Sequence, residues 1–344
     1  MRVLELKAAS GNCKLLIGES IERVMEYCNA KKVIIITDKN VLQLHGHTFP
    51  KCEMISIDSG EGIKTLETVE IIYERLLELE VDRSSIILGI GGGIVCDITG
   101  FVATTYLRGI RFGFVPTTLL AQVDASIGGK NGVNFKGYKN MIGAIRQPEF
   151  CLFDFELLKT LPESEMKCGF AEIAKHAAIG DASLFSYLEV NYKEILKLKK
   201  SIIEKVIYDS LKIKADIVAK DESEKGERMK LNFGHTLGHA IEKTVGLPHG
   251  KAVSLGMVLA ANISAKKGLL DKKEVERIVR LLENVGLPTK IDFDKNMVID
   301  AMRKDKKRRG DEINMVLLKS IGNVMITKIK IDELEAMIHE PDMC

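Results

Sequence analysis

Five short apolar runs recur through the first half of the chain, at 33–37, 52–57, 86–90, 112–115 and 150–153. Each is rich in β-branched or aromatic residues and is bounded by Gly, Pro or Asp, which marks strands. Segments of helical period separate them. One of these, 66–79, places Leu66, Val69, Ile72, Tyr73, Leu76 and Leu77 on one stripe. Such alternation constrains the fold strongly, because parallel neighbours need a crossover and the crossover helix covers a sheet face. The expected class is α/β, with an N-terminal doubly wound sheet.

The third run leads into Gly89-Ile90-Gly91-Gly92-Gly93-Ile94-Val95-Cys96-Asp97 and then an apolar helical segment. Glycines at a strand-to-helix turn let backbone N–H groups approach a pyrophosphate at the positive end of the helix dipole. Ile94 stands where a G-x-G-x-x-G fingerprint has its third glycine, so the turn read alone also fits a tight bend needing positive φ. Asp38 and Asn40 follow the first run, and Thr117 and Thr118 follow the fourth. In a doubly wound sheet these positions converge at the carboxyl edge, so a bound dinucleotide is the better reading.

After Leu161-Pro162 the strand signals stop and helical period runs to about Asp305. Met166, Phe170, Ile173, Ala174 and Ala177 share one stripe, and Ile202, Val206, Ile213 and Ile217 contribute to another. The expected division is a dinucleotide-binding α/β domain over 1–162 and a mostly helical domain over 163–344, with a small hairpin at 313–318 and 324–329. The cleft between two such domains is the default place for a site. Fifty Lys plus Arg against 48 Asp plus Glu leave a net charge of +2, which gives no reason to expect a nucleic-acid or membrane partner. The seven cysteines show no Cys-x-x-Cys spacing and the first thirty residues do not read as a signal peptide, so a cytoplasmic protein is expected.

Three of the seven histidines, His235, His239 and His249, fall in two short glycine-bracketed segments. His235 and His239 stand at i and i+4 on one helix face, and spacing alone favours them as the metal-ligand pair. His249 follows a Gly-Leu-Pro break, and Glu172 on an earlier helix offers an oxygen ligand. His45, His47 and His339 have no such context and read as surface residues. The segment 124–134 reads as a loop of small residues holding Lys130 against an anion. Lys139-Asn140, Arg108, Lys175 and Arg228 each read singly as solvated charges. Together they suit a site gripping a phosphate and a carboxylate. The run KDKKRR at 304–309 reads as a solvated face.

The stretch GGGIVCDITGFVATTYLRGIRFGFVPTTLLAQVDASIGGKNGVN, followed by GYKNMIGA, GFAEIAKH, LNFGHTLGHAIE and LPHGKAV, resembles the 3-dehydroquinate synthase family, with gaps, from about Val33 to Leu318. The resemblance implies one divalent metal, zinc or cobalt, on Glu172, His235 and His249, with His239 a nearby polar group. It implies NAD contacts at Asp38, Asn40, Glu61, Lys64, Gly92, Gly93, Asp97, Thr117, Thr118, Lys139 and Thr160. Substrate and catalytic positions carry over to Asp124, Lys130, Asn140, Lys175, Lys214, Arg228, Asn232 and His239. Arg108 matches a residue that reaches across a homodimer, and Lys306 a phosphate-binding lysine. The chain departs from the pattern at Asn131, Phe135, His176 and Lys251, where Thr, His, Tyr and Glu are usual.

The implied reaction converts 3-deoxy-D-arabino-heptulosonate 7-phosphate, a phosphorylated sugar acid, to 3-dehydroquinate and phosphate. It runs by transient oxidation with NAD, β-elimination, reduction and intramolecular aldol closure. Other sugar-phosphate cyclases share this chemistry. A metal-dependent polyol dehydrogenase would release NADH and have little use for Lys130 and Lys214, and a non-catalytic binding module would not need the full set of ligands and cations.

Overall fold

The structure, a computed structural model, describes residues 1–291, 294–303 and 311–340, and the backbone of 308–309. The chain forms two compact units. One comprises 1–165 with 203–223, the other 166–202 with 224–344. Composition alone groups 203–223 with the helical half; by compactness this segment returns to the first unit.

The first unit is built on β1 (Arg2–Ala8), β2 (Gly11–Ile17), β3 (Val33–Asp38), α1 (Lys39–His45), β4 (Glu53–Ile57), α2 (Leu66–Glu78), β5 (Ile86–Gly91), α3 (Gly93–Thr105), β6 (Arg111–Pro116), β7 (Lys130–Phe135), β8 (Tyr138–Ile145) and β9 (Phe150–Phe153). Seven strands order as β1-β2-β9-β6-β5-β3-β4. All neighbours are parallel except the antiparallel β1–β2 hairpin. The central strands bury both faces: Ile34, Ile35, Ile36, Ile87, Leu88 and Val115 are inaccessible to solvent. That explains why they read as continuous apolar runs rather than alternating ones.

In this unit sequence reading passes over four strands. β1 and β2 carry the alternation of charged and apolar residues visible in the first thirty positions, which is the period of a half-buried strand. β7 and β8 form a separate two-stranded ribbon where a loop is expected. Gly132 and Gly143 face each other there so closely that a Cβ on either would lie 2.6 or 2.5 Å from a backbone oxygen. Asn131 anchors the ribbon by donating to the Gly129 and Arg146 carbonyls at 2.8 and 3.0 Å, two bonds a Thr hydroxyl could not both make. The stripe on α2 is narrower than its spacing predicts: Val69, Ile72 and Leu76 are buried, but Leu77 is 65% exposed.

In the second unit α4 (Glu163–Gly180) is buried almost all round from Met166 to Ile179. α5 (Ala182–Leu196) follows; α6 (Lys200–Lys220) starts in this unit but belongs to the first from Ile203 on, and its buried stripe is Ile203, Val206, Ile207, Ser210, Leu211, Lys214, Ala215 and Val218. Of the residues expected on that stripe, Ile202, Ile213 and Ile217 are only half-buried. α7 (His235–Val245), α8 (His249–Lys266), α9 (Lys272–Val285) and α10 (Lys295–Arg303) complete the helical part. β10 (Arg308–Arg309), β11 (Glu312–Ser320) and β12 (Asn323–Lys330) make an antiparallel sheet that includes the expected hairpin, and α11 (Ile331–His339) closes the described chain. Among the described residues no helix is long and apolar enough to cross a membrane.

Candidate active site

In the first unit the polar residues singled out by sequence cluster at the carboxyl ends of adjacent strands. Asp38 ends β3 and caps α1, accepting from Val41 N at 3.0 Å, with Asn40 exposed beside it. Gly92 caps α3 without any side-chain bond, and Gly93 opens that helix. None of Gly89, Gly91, Gly92 and Gly93 has positive φ; these glycines serve space instead. A Cβ on Gly91 would lie 2.6 Å from Val95, and one on Gly93 3.0 Å from Ala125. Thr117 donates its N–H to the Gly91 carbonyl at 2.9 Å, and the Thr118 hydroxyl accepts from Ala121 N at 3.1 Å. Bare backbone at a helix N-terminus, with no Cβ in front of it, fits the pyrophosphate of a dinucleotide.

A hydrogen-bonded network joins several further candidates. Buried Lys64 reaches Asp97 Oδ2 and Asn140 Oδ1, each at 2.5 Å. Asn134 ties the ribbon to the same segment, donating Nδ2 to Glu61 Oε1 at 2.8 Å and N–H to the Lys64 carbonyl at 2.8 Å. Its own Oδ1 accepts from Asn140 N at 2.9 Å, and Asn140 holds a left-handed φ of 50°. Burial raises the Asp97 carboxyl, with Lys64 opposing. Lys214 donates to Asp124 Oδ1 at 2.7 Å and also to the Asp124 carbonyl. Lys130 stands exposed at the first position of β7, on a strand rather than in the expected loop, and Lys139 is exposed on β8. His45, expected at the surface, is buried, and its Nε2 lies 2.8 Å from Thr160 Oγ1. Exposed Arg108 sits between Leu107 and Gly109, and all three have positive φ (50°, 64° and 116°).

In the second unit Glu172 and Lys175 lie one turn apart on α4, both fully buried, with Nζ 2.5 Å from Oε2. His235 opens α7 and His249 opens α8, and their Nε2 atoms stand 3.3 and 3.2 Å from the same oxygen, Glu172 Oε1. Glu172, His235 and His249 each bring one ligand atom within 4.8 Å of the others. His239, favoured by spacing as the partner of His235, groups instead with Glu242 and His249. Its ring centroid is 5.1 Å from that of His235.

Close helix packing produces this convergence. A Cβ on Gly256 of α8 would fall 1.9 Å from the Gly234 carbonyl oxygen, and one on Gly238 of α7 2.9 Å from the Ala252 oxygen. On the other side, a Cβ on Gly250 would lie 2.3 Å from Cys168 Cα of α4. The glycines around the histidines therefore let α4, α7 and α8 touch backbone to backbone, and ligands from three helices reach one point.

The electrostatics fit a cation there. His235 Nδ1 lies 3.2 Å from the Phe233 carbonyl and His249 Nδ1 3.1 Å from Glu242 Oε2. If each Nδ1 carries its proton toward its acceptor, both Nε2 lone pairs face one carboxylate oxygen, an arrangement that needs positive charge in its midst. Burial opposes a charged His249, but bonds to Glu172 and Glu242 outweigh it and push the imidazolium up to about 10. Burial lowers His235, which favours the neutral ring a metal needs. Burial would raise Glu172, but Lys175 and the two imidazoles hold it well below the usual carboxylate range. One carboxylate and two imidazoles suit zinc or cobalt and leave coordination positions open, as catalytic metal sites do.

Arg228 is buried, and Asn232 donates Nδ2 to Glu224 Oε1. Lys306 lies outside the described residues. Sequence reasoning passed over Glu224, which holds φ 61°, and Glu242, although the latter sits three residues past His239 on the ligand helix.

Comparison with known proteins adds to this geometry. The family model described as 3-dehydroquinate synthase N-terminal matches residues 54–168, and that described as 3-dehydroquinate synthase C-terminal matches 169–308. The chain is 43% identical over 311 residues to 3-dehydroquinate synthase of Desulforamulus reducens, covering 87% of each. It superposes with TM-score 0.88, at 27% identity and 98% coverage of each chain, on 2-epi-5-epi-valiolone synthase of Streptomyces hygroscopicus with NAD+ and Zn2+ bound. A 2-deoxy-scyllo-inosose synthase complexed with carbaglucose-6-phosphate, NAD+ and Co2+ matches with TM-score 0.85 at 25% identity, over 98% of this chain and 99% of that one.

Proposed function

The chain belongs to the 3-dehydroquinate synthase family, and we propose that it converts 3-deoxy-D-arabino-heptulosonate 7-phosphate to 3-dehydroquinate and phosphate. The observation that carries this reading is the convergence of Glu172, His235 and His249 beside the buried cation Lys175, in a chain that also presents a bare-backbone dinucleotide turn. When bound, NAD accepts and returns a hydride, while the divalent cation supplies Lewis acidity toward substrate hydroxyls.

We assign the NAD contacts to Asp38, Asn40, Glu61, Lys64, Gly92, Gly93, Asp97, Thr117, Thr118, Lys139 and Thr160. Lys130, Asn140 and Asn232 hold the phosphate, joined by Lys306, and their positive and N–H groups favour its departure as an anion. Arg228 takes the carboxylate in the two-pronged geometry suited to a guanidinium. Lys214, held by Asp124, orients hydroxyls, and His239 beside the ligand imidazoles accepts a proton. Arg108 acts across a homodimer; its strained, exposed backbone supports a role there, since such strain concentrates at functional positions. We place the protein in the cytoplasm, where its six described cysteines, none in a disulfide, would stay reduced.

The test incubates the protein with catalytic NAD, zinc or cobalt, and the heptulosonate phosphate, following phosphate and carbocycle. Equal yields without net NADH, abolished by chelation, are expected. A folded, zinc-loaded protein that releases no phosphate overturns the proposal. Turnover of other heptulose phosphates only would point to another sugar-phosphate cyclase, and accumulating NADH to a dehydrogenase.

A further inference from the structure

We infer that Glu242 is a positioning residue of the metal centre: it accepts the Nδ1 proton of His249 and so aims the Nε2 lone pair at the cation. This rests on the metal reading above. Of the three ligands His249 is held least by its surroundings, with 29% of its side chain exposed against 11% for His235 and none for Glu172. It is also the first residue of α8, after a break capped by Gly246 in left-handed conformation, so the chain on its N-terminal side is not helical. His235 has its Nδ1 set by a main-chain carbonyl two residues back. For His249 the same job falls to a side chain, Glu242 Oε2 at 3.1 Å, which is itself mostly buried at 12% exposure.

Glu242 stands seven residues after His235 on α7, two turns along the same face. One helix therefore provides a ligand at its start and the orienting carboxylate for the other imidazole further on. A carboxylate behind a metal-bound imidazole fixes its tautomer and raises its basicity, and losing such a partner typically weakens metal binding about 10- to 100-fold.

The experiment measures the zinc dissociation constant by competition with a chromophoric chelator, and the visible bands of the cobalt-loaded protein, for wild type, Glu242→Gln and Glu242→Asp. Glu242→Gln is expected to bind zinc roughly 10- to 100-fold more weakly. Its cobalt bands should shift, and Glu242→Asp should recover part of the affinity. Zinc binding by Glu242→Gln within twofold of wild type, with unmoved cobalt bands, overturns the inference. Should Glu242→Gln fail to fold, Glu242→Asp decides: shifted cobalt bands support the inference and unshifted ones refute it. A wild type that binds neither metal would instead bring down the metal reading itself, so the two failures are distinguishable.

Discussion

Gly256→Ala should cost this chain its metal while leaving most of its fold in place. The added methyl would meet the Gly234 carbonyl oxygen at 1.9 Å and Gly238 N at 2.8 Å, where ordinary contact begins at 3.4 Å. Both obstacles are backbone, which cannot rotate aside, so α8 must withdraw from α7 by about 1.5 Å. His249, the first residue of α8, moves with it while His235 stays on α7. Metal–ligand distances tolerate only about ±0.2 Å, several-fold less than this displacement. We expect zinc affinity to fall at least ~100-fold, the upper range for lost ligand support. Overpacking of this kind costs about 1–3 kcal/mol, or roughly 3–10 °C in Tm. The control is Gly268→Ala, where a Cβ meets nothing within 4 Å and only a φ of 70° is strained. It should lose about 1 kcal/mol and keep its zinc. Titration calorimetry with zinc and thermal denaturation read both quantities. A Gly256→Ala protein with wild-type zinc affinity and Tm would show that backbone contact between α7 and α8 does not set the ligand geometry.

Three further outcomes follow from the first unit. Lys130→Ala removes an exposed side chain at a strand start, so Tm should stay within about 2 °C while turnover falls steeply. Parallel loss of both would contradict a role in binding phosphate. Lys64→Met leaves the Asp97 carboxyl without its partner and strips Asn140 of a bond; urea denaturation should register about 2–4 kcal/mol, and fluorescence titration a weaker NAD affinity. Burial lowers the His45 pKa, so the unfolded chain binds the proton more readily than the folded one. Stability from this group is complete above the ordinary value of 6.5 and declines as pH falls below it. In buffers of matched ionic strength His45→Gln should lose less stability between pH 7 and 5 than wild type, and an identical profile would refute the assignment.

Where burial is two-sided the chain announces itself: 33–36, 86–91 and 112–116 are apolar without interruption because these strands are buried on both faces. The β1–β2 hairpin is as visible in its alternation, with charged residues on its open face. The β7–β8 ribbon was not legible, since its glycines answer to a neighbouring backbone that no local pattern reveals. At the metal centre the residue types were plain and the partnership was not. An i, i+4 pair is what one helix offers, whereas the observed group draws on three helices whose closeness depends on Gly250 and Gly256. Reading those glycines as packing surfaces rather than loop residues is the signal that would have found it.

The return of 203–223 to the first unit has a consequence for how the chain is made. Asp124 is separated by 90 positions from Lys214, its partner in the same unit. At ribosomal speeds of roughly 5–20 residues per second, the early half must wait on the order of 5–20 s for that lysine. Through this interval the first unit lacks 203–223, and much of the other unit's α4 and α5 emerges first. A chain cut after residue 165 would therefore lack 203–223, a segment of its own compact unit.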